Sequence, residues 1–579
     1  MSRTVMPIFA PRRFRRIARL SALLLAGVAA PLPALAQAVA PAPSPVLPPS
    51  LDPNRLEQRF ERPAVPQSSP EIEMPAPEKA PPPRDAERIT LTLTEIRIDG
   101  NSVYDGDSLS ALWRDKLGKP VTLADLYAIR DAITARYRND GYVLSQAVVP
   151  AQRIRDGVVR LQVVEGYVDE VIVQGEATDR LGLLRRMGEK IKASRPLRMA
   201  DMERYVLLAD DLPGVAVKTV LEASPDTPGA SRLTLALERT PFNGFLSLDN
   251  RGTRSIGPFQ LTGVASVEDQ LGLFERTTAQ GIVTPQIREL RFFDVGQLVP
   301  VDAEGTTVEY GVRRSWSQPG DSVRPLDLYS LTTSGRLAVS HPFIRSRAET
   351  LRAGLSVTIR DSRTDALGDK LSEDRLRIVA ANVAYDFADG WGGSNLLTAE
   401  LSKGLDILNA TESGSANLTR SGGRSDFRKL LLSAQRNQPL TDQLILVLSG
   451  EAQYSPDQLL SAEEYGLGGK QYGRAFDPSE ITGDSGFAGR AELQYILPVQ
   501  EDGLDYAVAY GFGDYGAVYN YEGGTRHGRR SLASAGIGLR FGVFQRIDAS
   551  VELAKPFITT PFSTQDRAPR AFFTLSTRF

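Results

Sequence analysis

Cysteine is absent from the 579 residues, which removes disulfides, thiolate metal sites and thiol catalysis together. Histidine is nearly absent: His341 and His527 are the only two, far apart in sequence, which argues against an imidazole-based active site. Neither sign of charge is in excess, with 68 basic and 70 acidic residues for a net charge of −2, so nothing points to a nucleic-acid partner. Long apolar runs are missing as well. The stretch 20–30 is too short to be a good membrane span. No later segment holds 18 consecutive apolar residues, so helices do not carry the mature chain through a bilayer.

What is present begins with an export signal. Arg12, Arg13, Arg15, Arg16 and Arg19 form a basic region before the short apolar stretch, and Ala34-Leu35-Ala36 supplies a small-residue cleavage pattern. Residues 1–36 are thus expected to be a signal peptide. Residues 37–83 hold 14 of the 38 prolines, so a linker reaching to about residue 88 is expected to be extended and unable to pack a core. Within it, residues 54–61 are free of proline and long enough for about two helical turns. Alone such a helix is marginal. It is either solvated linker or a plug held by a host cavity.

From 89 to 240 the composition becomes that of a soluble α+β protein, and two units of similar layout follow one another. Ile96-Arg97-Ile98-Asp99-Gly100 in the first matches Val171-Ile172-Val173-Gln174-Gly175 in the second. The first unit (89–167) shows a helix around Leu109, Leu112, Trp113 and Leu117. A second helix opens on the capping pattern Thr122-Leu123-Ala124-Asp125 and carries Leu126, Ile129, Ile133 and Tyr137 at helical spacing. Strands are expected over 142–149 and 158–164. The second unit (168–240) repeats the order, with helices near 180–190 and 199–212 and strands near 215–221 and 232–237. Each unit reads β-α-α-β-β, a three-stranded sheet with two helices on one face. An open strand edge on such a unit suits an extended peptide.

From 241 to 579 short alternating strands recur. Ala535, Ile537, Leu539, Phe541 and Val543 interleave with Gly536, Gly538, Arg540 and Gly542, and the next strand sets Val551 and Leu553 against Ser550 and Glu552. A soluble sandwich alternates too. The export signal, the missing cysteines and a final alternating strand ending in Phe579 favour a transmembrane antiparallel barrel of about sixteen strands, its last strand closing on the first. Inside this region lies a long Gly-rich stretch, 465–486 and its flank, carrying Gly473-Arg474-Ala475-Phe476. Forty residues on, Phe512-Gly513-Asp514-Tyr515-Gly516 reads as a strand with a carboxylate. An Arg474–Asp514 ion pair would lock an inward-folded loop. Strict alternation puts Asp514 on the face of Tyr510 and Phe512, so either those aromatics point inward or a bulge at 511–513 reverses the parity. Arg490 and Glu492, on the charged face of the strand after the loop, and Asp249 and Arg251, at the end of the first barrel strand, are further lumen candidates. The run Gly483-Asp484-Ser485-Gly486 matches a serine-protease nucleophile segment, but the histidine poverty leaves it without a base.

This order resembles the two-partner secretion transporters (TpsB), the hemolysin secretion/activation proteins (ShlB/FhaC/HecB) of Gram-negative outer membranes, whose paired periplasmic units are POTRA domains. The pieces that carry the resemblance are Pro150-Ala151-Gln152, Asp156-Gly157, Val164-Glu165-Gly166-Tyr167, Asp249-Asn250-Arg251-Gly252 and the two stretches around Arg474 and Asp514. The family's loop tetrad is usually Val-Arg-Gly-Tyr or Phe. Here it keeps Arg474 and Phe476 but has its glycine before the arginine. The partner motif Phe-x-Asp-x-Gly is intact at Phe512, Asp514 and Gly516. The resemblance implies an outer-membrane transporter, not an enzyme, without cofactor. It implies a secreted exoprotein as client, outer-membrane lipid around the barrel, the barrel assembly machinery during biogenesis and Phe579 as a C-terminal assembly signal. A barrel assembly factor of the same superfamily and a passive porin are the alternatives.

Overall fold

The computed structural model describes residues 49–60, 65–68, 82–227, 229–499, 501–522 and 525–579. The expected signal peptide and most of the proline-rich linker lie outside them.

The two units between 89 and 240 have the β-α-α-β-β order. In the first, Glu95–Asp99 runs parallel to Val158–Val164, which pairs antiparallel with Gln146–Val148. In the second, Tyr167–Gln174 runs parallel to Ala230–Arg239, whose other side takes Val215–Ala223 antiparallel. Leu123–Asn139 starts on the expected capping box, with Thr122 and Asp125 each accepting the other's backbone N–H. Its stripe of Leu126, Ile129, Ile133 and Tyr137 is buried against the sheet. Three details differ from the sequence reading. The first helix is only Gly106–Ser110, followed by a 3-10 turn at Arg114–Lys116, and this pair of short turns is enough to bury Leu109 and Trp113. The strand expected from 142 begins at Gln146, because Tyr142 and Ser145 close a turn after the helix. An extra two-stranded ribbon joins Thr90–Thr92 to Pro120–Thr122.

The family-like run Val164-Glu165-Gly166-Tyr167 has a local cause. Glu165 accepts the backbone N–H groups of Ser102 and Val103 and the hydroxyls of Ser102 and Tyr137, at 2.5–3.2 Å. Burial pushes its carboxyl up, yet these donors outweigh burial and hold it below the ordinary glutamate value.

Sixteen strands, from Phe242–Asp249 to Arg570–Arg578, form one closed antiparallel barrel. Closure is made by pairing Thr574–Arg578 against Asp249–Phe245, reinforced by backbone bonds between Phe579 and Gly244. Asn250 adds a side-chain clasp to the last strand, donating to Ala571 O and accepting from Phe573 N. Alternation sorts the faces: Phe292 is buried toward the lumen while Phe293 is exposed on the outer wall. The second unit is seated on the barrel's turns. Arg345 makes two bonds to Asp211, Glu304 meets Arg204 and Lys190, and Phe274 is buried among Leu183, Leu184 and Leu208.

Candidate functional site

The lumen is filled from two directions. The chain between the strands Leu444–Tyr454 and Ser485–Leu497 turns inward as a small ribbon, Tyr465–Leu467 paired with Ile481–Gly483. Arg474 sits in its tip. The ribbon is an apolar body: Tyr465, Leu467, Tyr472, Phe476 and Ile481 are buried against wall residues including Phe512, Leu532 and Phe572. The wall aromatics therefore face inward. The pairing of Leu504–Glu522 with both neighbours is unbroken through 511–513, so no bulge reverses the parity there. Glycines on the next strand make room for these rings. A Cβ at Gly536 would lie 2.7 Å from the Phe512 ring, and one at Gly538 2.4 Å from Tyr510.

The expected Arg474–Asp514 ion pair is not what the structure contains. Asp514 Oδ2 accepts the backbone N–H of Arg474 at 3.3 Å, and its other oxygen accepts the Ser534 hydroxyl. The guanidinium instead passes over the Phe512 ring, 4.1 Å from its centroid, to two carboxylates nearer the end of the barrel on which the second unit sits. It bonds Glu492 directly and Glu552 at 3.0 Å. The cause is register: Glu492 lies opposite Phe512, and Glu552 pairs with Gly538 on the rung of Tyr510. Asp514 is one pleat further out. Backbone shape contributes as well. The left-handed residue within the run 473–476 is Gly473, with φ +76°, and Ala475 is not left-handed. The displaced glycine of the tetrad thus supplies the turn before the arginine.

Both glutamates are shared. Arg251 donates to Glu552 at 2.6 Å, Arg540 to Glu492 at 2.8 Å and the Tyr510 hydroxyl to Glu552 at 2.9 Å. An alternating chain Arg251–Glu552–Arg474–Glu492–Arg540 thus ties the loop tip to four places on the wall. Asp249 caps the turn into this chain by accepting the Arg251 N–H. Arg490 is at hydrogen-bond limit from Gln471 O, 3.5 Å. Phe476 is buried in the loop's own core, and a Cβ at Gly516 would lie 2.6 Å from Leu467, so Gly516 is where the ribbon touches the wall. Glu552 was missed as a partner. Its signal was present, a carboxylate on the polar face of an alternating strand.

The second occupant is the short helix. Two 3-10 turns lead into Leu56–Phe60, one residue short of the expected end at 61, which lies outside the described residues. Phe60 packs on Phe292 at 5.0 Å between ring centroids. Glu57 accepts from Ser334 at 2.9 Å and from Arg360 at 3.1 Å, and Arg360 also holds Glu463 of the inward segment at 2.7 Å. Lys429 is the second cation on Glu463. Arg55 donates to the carbonyls of Ser461 and Glu464, and Gln58 to that of Ala462. Helix and loop therefore meet at residues 461–464. The protease-like run is structural here: Asp484 binds Arg420 and the Leu459 N–H, and Ser485 is bonded to the backbone of Ser455.

A family model for haemolysin secretion/activation proteins ShlB/FhaC/HecB matches residues 229–541. The chain belongs to this family. A model for ShlB-type POTRA domains matches residues 91–166. Among curated proteins, the outer membrane transporter CdiB of Escherichia coli O6:K15:H31 is 28% identical over 498 residues, 82% of this chain and 79% of the relative. The heme/hemopexin transporter protein HuxB of Haemophilus influenzae strain 86-028NP is 23% identical, covering 81% and 84%. The solved structure of CdiB from Escherichia coli superposes with a TM-score of 0.71 at 22% identity, covering 89% of this chain and 94% of that one. The fold is thus a POTRA-bearing sixteen-strand outer-membrane barrel, and the protein is a two-partner secretion transporter with its POTRA domains in the periplasm.

Proposed function

We propose that the POTRA domains take an unfolded exoprotein segment by strand addition, and that the barrel passes it outward when the helix 49–60 leaves the lumen. Val215–Ala223 has one ladder edge paired and the other open, with Val220 and Leu221 exposed on it. It supplies the backbone donors and acceptors that an extended client segment needs. The Arg474 chain of charges keeps the loop tip against the wall and so shapes the conduit that the departing helix opens. Phe579, ring to ring with Phe242 at 6.0 Å, marks the closing strand for assembly.

The observation that carries this reading is the shared cation Arg360, which binds Glu57 of the helix and Glu463 of the loop base inside one lumen. A chain without cysteine offers a clean test. Glu57→Cys with Ser334→Cys, joined by a short bismaleimide, is expected to stop secretion of the client while each single variant secretes normally. Normal secretion by the joined protein sinks the proposal.

A further inference from the structure

The outer wall carries a feature that neither helix nor loop uses. On the lipid side of the strands 485–497, 504–522, 525–543 and 547–556 lies a groove of about 900 Å³, floored by Gly511 and walled by Leu493, Tyr495, Ile537, Leu539 and Val551. Beyond it the wall stays bare. Gly513 and Ala535 pair with each other, and a Cβ at Gly513 would meet nothing within 4 Å. Next along the same face comes Tyr515, its ring beside Phe487, and then Tyr519.

Two arginines from the facing strand lean onto these tyrosines. Arg529 donates to the Tyr515 hydroxyl at 2.6 Å, and the Arg526 guanidinium lies 3.5 Å from the Tyr519 ring centroid. Both arginines remain exposed, and neither is in an ion pair with a carboxylate among the described residues. Their neighbours on the other face are different in kind: Leu532 and Ser534 point to the loop, and Arg530 donates to Thr482 O. The first barrel strand leaves the POTRA domains at residue 242, and strands alternate in direction, so the thirteenth, Leu504–Glu522, ends at the cell surface. The arginines therefore stand at the cell-surface end of the wall, beyond the apolar groove on the same face. Four residues of strand, roughly 13 Å, separate Gly511 from Tyr515, and eight, roughly 26 Å, separate it from Tyr519. A head group on the arginines with its tail running down to the groove covers that interval.

We propose that this stripe is a binding site for a phosphorylated, multiply acylated glycolipid of the outer leaflet, with a tail in the groove and a phosphate on Arg526 and Arg529. Guanidinium forks suit phosphate oxygens, and basic groups at a membrane rim recognise anionic headgroups. Holding the tyrosines leaves the arginine forks positioned without neutralising them.

The test uses the full chain purified from outer membrane in mild detergent, incubated with bis-phosphorylated lipid A and read by native mass spectrometry. Dephosphorylated lipid A and phosphatidylglycerol are the comparison probes, and heat-modifiable migration verifies each variant's barrel. Bis-phosphorylated lipid A is expected to be retained over both. R526A/R529A is expected to reduce its retention roughly thirtyfold, as the loss of two phosphate-facing cations implies. Gly513→Trp, which fills the bare wall between groove and arginines, is expected to reduce retention of phosphorylated and dephosphorylated lipid alike. Equal retention of the three lipids, or unchanged retention by either variant, overturns the proposal.

Discussion

The two occupants of the lumen are held in opposite ways. The loop brings its own apolar core, with Phe476, Tyr472, Leu467 and Ile481 buried together, and adds Arg474 between two buried glutamates. The helix Leu56–Phe60 is little more than one turn and brings almost nothing: Leu56 and Phe60 touch the wall, and the rest is polar contact through Arg55, Glu57 and Gln58. A helix so short has no independent stability. Of the two, the occupant proposed to leave is the one that borrows its structure from the wall, and the one proposed to stay carries a core.

The largest effect that tests this contrast is at Arg474. Arg474→Ala leaves Glu492 with Arg540 and Glu552 with Arg251 but frees the loop tip from both, a loss of at most roughly 3 kcal/mol, the low end for a broken buried pair because neither carboxylate is left unpaired. Secretion of the client is expected to fall to background while heat-modifiable migration shows a closed barrel, because the sixteen-strand ladder does not depend on the loop. Arg474→Lys restores the charge but not the two-ended fork, so partial secretion is expected. Asp514→Asn is expected to do less than Arg474→Ala, since Asp514 holds only the backbone N–H of Arg474 and the Ser534 hydroxyl. Equal losses for the Asp514 and Arg474 variants would reinstate a direct pair and contradict the register argument. A double-mutant cycle between Arg474 and Glu492 is expected to show strong coupling.

Next in size is the helix. Arg55→Ala with Glu57→Ala removes its bonds to Ser334 and to Arg360 and, apart from that of Gln58, its bonds to the loop base. In planar bilayers this variant is expected to show a clear rise in open-channel conductance, with secretion retained. If conductance stays at the parental level, the helix is not held by these contacts and the contrast with the loop fails.

Sequence patterning carried far where a single period decides the outcome. The alternation over 534–543 separated an apolar from a polar face, and Thr122 with Asp125 told where a helix begins. It failed where two elements must be set against each other in register. Alternation puts Glu552 on the polar face of its strand and Asp514 on the face of Tyr510 and Phe512, but does not say that Glu552 lies nearer the periplasm, within reach of Arg474. The conspicuous motif residue was therefore matched with the wrong atoms of its partner: Asp514 meets the backbone of Arg474 and not its guanidinium. The ambiguity over Tyr510 and Phe512 had the same root. Alternation leaves the side of these aromatics open, and they face the lumen where Gly536 and Gly538 on the next strand leave room for their rings, a pairing that no single strand reveals. The seam clasp of Asn250 was invisible for a similar reason, since it depends on where the last strand begins.

The smallest expected effect supplies the control for the helix comparison. Leu123–Asn139 is a helix of 17 residues that satisfies its own first turn, with Thr122 and Asp125 bonded reciprocally and Lys116 on Asp125 at 2.7 Å. The Lys116 hydrogen bond, with those from Thr122, lowers the Asp125 carboxyl to about 2. Asp125→Ala is expected to cost the POTRA region about 1 kcal/mol, the usual worth of a cap, read as a lower midpoint in urea denaturation of residues 82–240. The pH dependence has a definite sign. A depressed folded-state value contributes stability that is present above the ordinary carboxylate range and is lost as pH falls from about 4 toward 2. The gap between parent and variant is therefore expected to be full at neutral pH and to narrow as pH drops through that window. Secretion and conductance are expected to be unchanged, because a helix that closes its own ends does not depend on one bond. A secretion defect as severe as that of Arg474→Ala would mean that self-capped and borrowed helices differ less than their contacts imply.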